Sequence, residues 1–525
     1  YHVLAAHLAG HPVGLLSLQA GAVYLPNIND LRTGAVSGAR GDQSNVTVDG
    51  VDVNDPQTGQ AYTSVLRLPL DAIQEFRVTT ANYNADMGRS SGGQVSLVTK
   101  TGSNVFKGSG YWTHRNTATS TNEYFLKLSQ LQAGRPSKPP KLNKHIWGGA
   151  LGGPILRDRL FFFGNYEGLR ELSESPVTRA VPSNSFRDGV LIYQCATASA
   201  CPGGTVRGFS NTHNVAAGFY GLSPAEIKAI DPLGIGPSVA ASTYFKQYPA
   251  PNAPGLDNLN IMEYRFAAPI QNQFATWINR IDYNINKSGS HRLFGRLNLM
   301  FDDINSTPQF PGQPPRTTDK NRNKGVGLGY DAVLRSNFVN TFRLGWTDID
   351  EATVGRWSGP SATFRFLDMY DPVTFSSSRK LPTWNFVDDV AWLKGNHALK
   401  FGANVRYTRN KRTNANTFSN AVANGSWVNG VGRFFMPGAS TCTTPGCSQV
   451  PAVAQSFAAS FADPFIDILG VLSQANGFYM YDRTGTPLPE GTPLVRTLGS
   501  DEYDFYAQDS WKVHSDLTVT LGLRY

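Results

Sequence analysis

A chain of 525 residues has 47 Lys and Arg against 39 Asp and Glu, a formal net charge of +8. These charges are dispersed: Arg280, Arg292, Arg296, Arg343 and Arg406 stand singly within alternating segments, and no basic block or recognition helix marks a nucleic-acid binder. The 52 Gly, 30 Phe, 21 Tyr and 9 Trp against 6 Met point to strands and turns rather than packed helices, and a mean hydropathy of −0.28 with no long apolar run excludes a membrane-spanning helix but not a β-barrel, whose alternating strands average out.

In chain order, the first informative stretch is VGLLSLQAGAVYLPNIND (residues 13–30). It looks like a secretory apolar region, yet no basic segment precedes it, and Ser17 and Gln19 interrupt it. Arg40-Gly41-Asp42 spells an adhesion tripeptide but reads as a turn between strands. Val46, Val48 and Val51 flank Asp49-Gly50, the pattern of two short strands joined by a tight turn. The acidic group Asp49, Asp52, Asn54 and Asp55 suggests calcium, but an EF-hand spacing starting at Asp52 would place Pro56 at its fifth position, so turn chemistry is expected. Ile73, Phe76 and Val78 form a second apolar run, with Asp71 expected to cap a short helix before it. Gly88, Gly92 and Gly93 precede a third strand, Val95 to Val98. These short strands have little core of their own and need a container.

From Val105 onward the period is two. The clearest case is 291–301, where Leu293, Leu297, Leu299 and Phe301 alternate with Arg292, Arg296 and Asn298. Segments 275–285, 324–334, 397–407 and 517–525 repeat the pattern. Runs of about ten residues suit tilted bilayer crossings better than sandwich strands, and Trp112, Trp346, Trp384, Trp392 and Trp511 fall toward strand ends as interfacial girdles would. If odd positions of 291–301 face lipid, Leu297→Arg should block assembly and Asn298→Arg should be tolerated. Short polar turns alternate with long excursions near 172–273, 303–322, 351–382 and 410–500, and 224–230 is expected to be helical. Cys195/Cys201 and Cys442/Cys447 are close pairs in Gly- and Pro-rich loops, which suggests local disulfides in an oxidising compartment. No GxSxG, HExxH or P-loop occurs, and the carboxylates of Asp302/Asp303 and Asp388/Asp389 point to opposite faces of a strand, so an enzyme is not expected.

Several blocks carry a resemblance: Asp49-Gly50-Val51, the run from Asp71 to Val78, the run from Gly88 to Gly93, the run from Val98 to Gly102, Gly148 to Ile155, and Arg159 to Gly168. In this order and spacing they resemble TonB-dependent outer-membrane receptors, specifically the Oar-like branch. The resemblance implies an all-β-dominated fold, with a small mixed plug domain inside a large antiparallel transmembrane β-barrel. It assigns 1–103 to an N-terminally truncated plug and 104–525 to a C-terminally truncated barrel holding about twelve of twenty-two strands. The implied location is the outer membrane of a Gram-negative cell. The implied function is active import of a scarce ligand bound at extracellular loops, driven by TonB-energised plug movement. The partners are then outer-membrane lipid, the TonB complex and an unidentified extracellular ligand, with no cofactor, metal or nucleic acid. A structural or adhesive surface protein is the alternative. Because 45–102 is rich in Arg, Asp and Asn for a core, plug and wall should meet through polar, partly hydrated contacts, with Glu75, Arg77 and Arg89 as candidate plug-to-wall ion pairs.

Overall fold

The computed structural model describes residues 22–24, 34–36, 38–57, 66–80, 83–88, 92–132, 134, 136–201, 218–231, 234–356, 361–414, 453–472, 474–476 and 479–525. In chain order the first elements are β1 (Ala22–Tyr24), β2 (Gly34–Val36), β3 (Ala39–Arg40), β4 (Asn45–Val48), β5 (Val51–Asp52), β6 (Ile73–Thr79) and β7 (Gln94–Thr99). There follow β8 (Lys107–Asn116), α1 (Tyr124–Gln132), β9 (Leu142–Leu156), β10 (Leu160–Pro182), α2 (Asn184–Arg187), β11 (Leu191–Gln194), β12 (Phe219–Leu222), α3 (Pro224–Ile230), α4 (Val239–Phe245) and β13 (Ile261–Asn284). The rest are β14 (His291–Asn305), β15 (Thr318–Asn321), β16 (Lys324–Arg335), β17 (Phe338–Val354), β18 (Ser361–Thr363), β19 (Ser377–Lys394), β20 (His397–Asn414), α5 (Ala458–Ile468), β21 (Gln474–Asn476), β22 (Leu494–His514) and β23 (Leu517–Arg524).

The wall is a 12-stranded sheet in which sequence neighbours pair antiparallel from β8 to β23, with β15 and β16 both lying between β14 and β17 as one interrupted crossing. Tight turns at 157–159, 285–290, 336–337, 395–396 and 515–516 close one end, and the long connections gather at the other. Alternation places side chains as expected: Leu293, Leu297 and Phe301 point outward at 42%, 39% and 37% exposure, while Arg296 and Asn298 turn inward at 2% and 1%. Asn298 is therefore sealed under other groups, and an arginine there would be buried rather than tolerated. Aromatic rings band the outer face. Trp346 stands opposite Trp384, and His397 stacks on Trp511. Trp384 and Trp392 are eight residues apart on β19, about 26 Å along the strand and about 20 Å once tilted, close to a bilayer's apolar band.

A second, four-stranded sheet of order β5-β4-β7-β6 sits within this wall. Asp71 accepts from Ser109 on β8, and Arg524 on β23 donates to the Ala85 carbonyl. With β15 and β16 sharing one crossing, eleven crossings laid flat would be about 48 Å wide, so a small sheet can touch both outermost strands only if the wall curls around it. Asp71 does not cap a helix; it lies inside the single turn Leu70–Ala72, whose cap position is Pro69.

Among the described residues, the long connections are ordered. β10 and β13 pair over 23 positions, from Leu160↔Tyr283 to Pro182↔Ile261, far beyond a ten-residue crossing, and this tall hairpin carries a cap. The cap has its own apolar core, in which Phe186, Tyr193 and Phe245 from 183–260 meet Phe310, Phe364, Phe461 and Phe465 from three other connections. Ser223 and Glu226 form the capping box that starts α3. A disulfide joins Cys195 to Cys201 inside this core; Cys442 and Cys447 lie outside the described residues. On α5, Asp467 is fully buried, with Oδ1 accepting from the Arg365 amide and Oδ2 without a partner among the described residues. Burial pushes its carboxyl well above the usual range.

Two outcomes are expected. Leu297→Arg puts a cation on the lipid face at a cost of about 2–4 kcal/mol and should abolish outer-membrane accumulation, whereas Leu297→Phe should leave it intact; quantitative immunoblots of membrane fractions check this. Because the folded state holds Asp467's proton more tightly than the unfolded one, the stability it contributes is complete below the ordinary carboxyl range and is lost as pH rises through its raised value. Hydrogen-exchange protection of 458–468 should therefore fall with rising pH, and Asp467→Asn should flatten that dependence.

Candidate functional site

The chemistry of this chain concentrates where the inner sheet meets the wall. Val46 and Val48 are fully buried, which fixes β4 and aims the turn beyond it at β13 and β14. Both turn residues have positive φ, Asp49 at 51° and Gly50 at 84°, the type I′ geometry of tight hairpins. The Asp49 carboxylate accepts from the Thr99 amide and hydroxyl, from Arg280 Nη1 at 2.9 Å and from Arg296 Nη1 at 3.0 Å. Arg280 and Arg296 are direct cross-strand partners, and like charges so placed repel. Asp49 lies between them with 2% of its side chain exposed, against 11% and 1% for the arginines. Asp282 shares the charge of Arg280 at 2.8 Å.

Four more ion pairs tie the inner segment to the wall. Asp52 meets Arg406 at 2.8 Å, Asp55 meets Arg379 at 2.8 Å, Arg67 meets Asp302 at 2.7 Å, and Asp86 meets Lys400 at 2.6 Å. Arg379 and Arg406 are each held also by a wall carboxylate, Glu351 and Glu502. Apolar contact completes the seam: Val48, Val53, Leu66 and Leu97 share one core with Phe163, Ile278, Ile349 and Leu381 of the wall. Inward glycines permit the approach, since a Cβ at Gly325 would collide with Leu66 and one at Gly345 with Val51.

The acidic cluster does more than shape turns. Asp52 and Asp55 do accept from the amides of Asn54 and Gln57, but their other oxygens reach wall arginines. Among the described residues no group of three or more His, Cys, Asp or Glu is placed to hold a metal. Gly88 has positive φ against Asn45 and Gln94, the Gly92 amide donates to the Gln43 carbonyl, and Gly93 leaves room for Val36. Glu75 and Arg77 are exposed on β6, and neither pairs with any described residue; Arg89 lies outside the described residues. Arg67 and Asp86 escaped notice because nothing in their own neighbourhood reports the distant partner.

Residues 98–525 match the outer membrane beta barrel domain family. Over 140 residues the chain is 31% identical to the TonB-dependent transporter Oar of Myxococcus xanthus, a match covering 26% of this chain and 12% of that protein. The outer membrane transporter YddB of Escherichia coli superposes with a TM-score of 0.52 at 14% identity, covering 98% of this chain and 54% of that one. The siderophore receptor PirA of Acinetobacter baumannii gives 0.45 at 11% identity, covering 98% and 57%. The chain thus spans about half the length of these solved structures.

Removing Asp49 leaves two buried arginines facing each other. Asp49→Ala should destabilise the seated inner sheet by about 3–5 kcal/mol, seen as protease cleavage within 45–102 of the otherwise intact full-length protein. Glu75→Ala, at an exposed position without an ion-pair partner among the described residues, should shift stability by under about 0.5 kcal/mol.

Proposed function

Because this chain belongs to the outer membrane beta barrel domain family, we propose that it is the inner sheet and part of the wall of an outer-membrane transporter, with 1–103 as the plug and 104–525 as barrel. The observation that carries this reading is the seating of a small sheet inside the wall by ion pairs. A wide barrel leaks unless it is filled. A filler held by charge pairs can be displaced and reseated without unfolding the wall, because each pair exchanges one polar partner for water or for another charge.

The cap at the long-connection end supplies the ligand-facing surface in this reading. Its core ties four connections into one ordered body, so a ligand there would meet a preformed surface, with little ordering entropy to offset. Plug movement would draw on the TonB complex, as the name of the Oar relative suggests. The ligand is a scarce extracellular solute, and the route calls for no covalent chemistry.

Deleting 45–102 from the full-length protein tests the assignment. An open pore should result, seen as sensitivity to large hydrophilic antibiotics, together with loss of energy-dependent uptake. Unchanged permeability and uptake would remove the plug assignment and leave a structural or adhesive surface protein.

A further inference from the structure

The inner sheet fills the wall unevenly. Toward β13–β17 the seam is closed by the Asp49 pair, by the shared apolar core and by the close approach of Leu66 and Val51 to wall glycines. Toward β19, β20 and β22 a cavity of about 320 Å³ separates the two layers, room for about ten waters at ~30 Å³ each. Asn45, Gln94, Asn385, Asp389, Asn404 and Tyr506 are among its lining residues and supply hydrogen-bonding groups between Met87, Val95, Val387 and Ala403. Asn45 Oδ1 and Arg524 Nε are buried at its edge without a partner among the described residues. Such atoms are satisfied by water or by a polar solute.

The cavity is a slot running along the wall. Arg406, bound to Asp52, marks one end, and Lys400, bound to Asp86, marks the other. They lie six positions apart on β20, about 20 Å of strand. The two ends are closed differently. At the Asp52 end both partners are nearly sealed, with 5% and 6% of their side chains exposed. At the end nearer the tight turns the closure is the segment 83–88, which belongs to no helix or strand. Three side chains of the wall hold it: Lys400 on Asp86, Gln508 accepting from the Ala85 amide at 2.9 Å, and Arg524 donating to the Ala85 carbonyl at 3.1 Å. Lys400 is 43% exposed, and an ion pair so accessible to water contributes far less than the buried Asp49 group.

We propose that this slot is the route by which a polar, hydrogen-bonding solute passes the inner sheet, and that 83–88 is its gate at the tight-turn end. The inference rests on the plug assignment above. It places the moving part on the β19–β22 side and the fixed anchor at Asp49.

Proteoliposomes containing the full-length protein, with arabinose as the probe in a swelling assay, test the route. Lys400→Met should raise the swelling rate about two- to fivefold, the population shift expected from losing one half-exposed ion pair, and adding Gln508→Leu should raise it further. The exchanged pair Asp86→Lys with Lys400→Asp should return the rate to the wild-type level, which a general loosening of the protein would not do. If the 45–102 deletion opens a pore while Lys400→Met and the double variant swell at the wild-type rate, the solute passes elsewhere and the gate assignment is wrong, with the plug assignment intact. If the deletion opens no pore, both assignments fall.

Discussion

Two arginines set opposite each other on adjacent strands repel, and the register of β13 against β14 places Arg280 and Arg296 in that position. In a wall open to water this would be a modest fault. Under the inner sheet, with the Arg296 side chain 1% exposed, it is a severe one, because a buried charge without a partner costs several kcal/mol. The Asp49 carboxylate resolves it, and only from the tip of a hairpin rigid enough to hold it there. The wall therefore depends on the inner sheet for charge balance, as the inner sheet depends on the wall for burial. Arg379 and Arg406 repeat the arrangement around the circumference, each shared between an inner aspartate and a wall glutamate.

This mutual dependence explains how so small a sheet stays in place. β4 and β5 contribute only a few valines, too little for an independent core. Apolar residues of the wall complete that core, and glycines at 325 and 345 let the backbones draw close enough for Leu66 and Val51 to reach it. Specificity of seating comes from the charges, since apolar contact alone would accept many orientations. At the other end of the wall the balance reverses. The cap is held by packed aromatic rings, among them Phe245 on Phe364 at 4.8 Å and Phe461 on Phe465 at 5.6 Å, with the Arg365–Asp463 ion pair at 3.2 Å beside them.

Much of the architecture is local in origin and was legible before any fold was known. Alternation along 291–301 assigns each side chain to the lipid or to the lumen, because a strand offers only two faces. Asp49-Gly50 specifies its turn because both positions need positive φ, and the capping residues Ser223 and Glu226 announce their helix in the same way. The division between tight turns and long connections also follows from local composition, and with it the polarity of the wall.

The strands, their facing, the hairpin tip and the membership of an outer-membrane barrel family are thus written locally along the chain. Which charges meet is settled only when the chain folds. Asp49 lies 231 and 247 residues from its two arginines, and Asp52 lies 354 from Arg406. Glu75 and Arg77 have the same composition and period as the true partners, yet they stand exposed, because facing within a small sheet depends on which side the wall covers. The cap was invisible for the same reason. Its core is assembled from four connections, and their union exists only once the wall has brought the strand ends together.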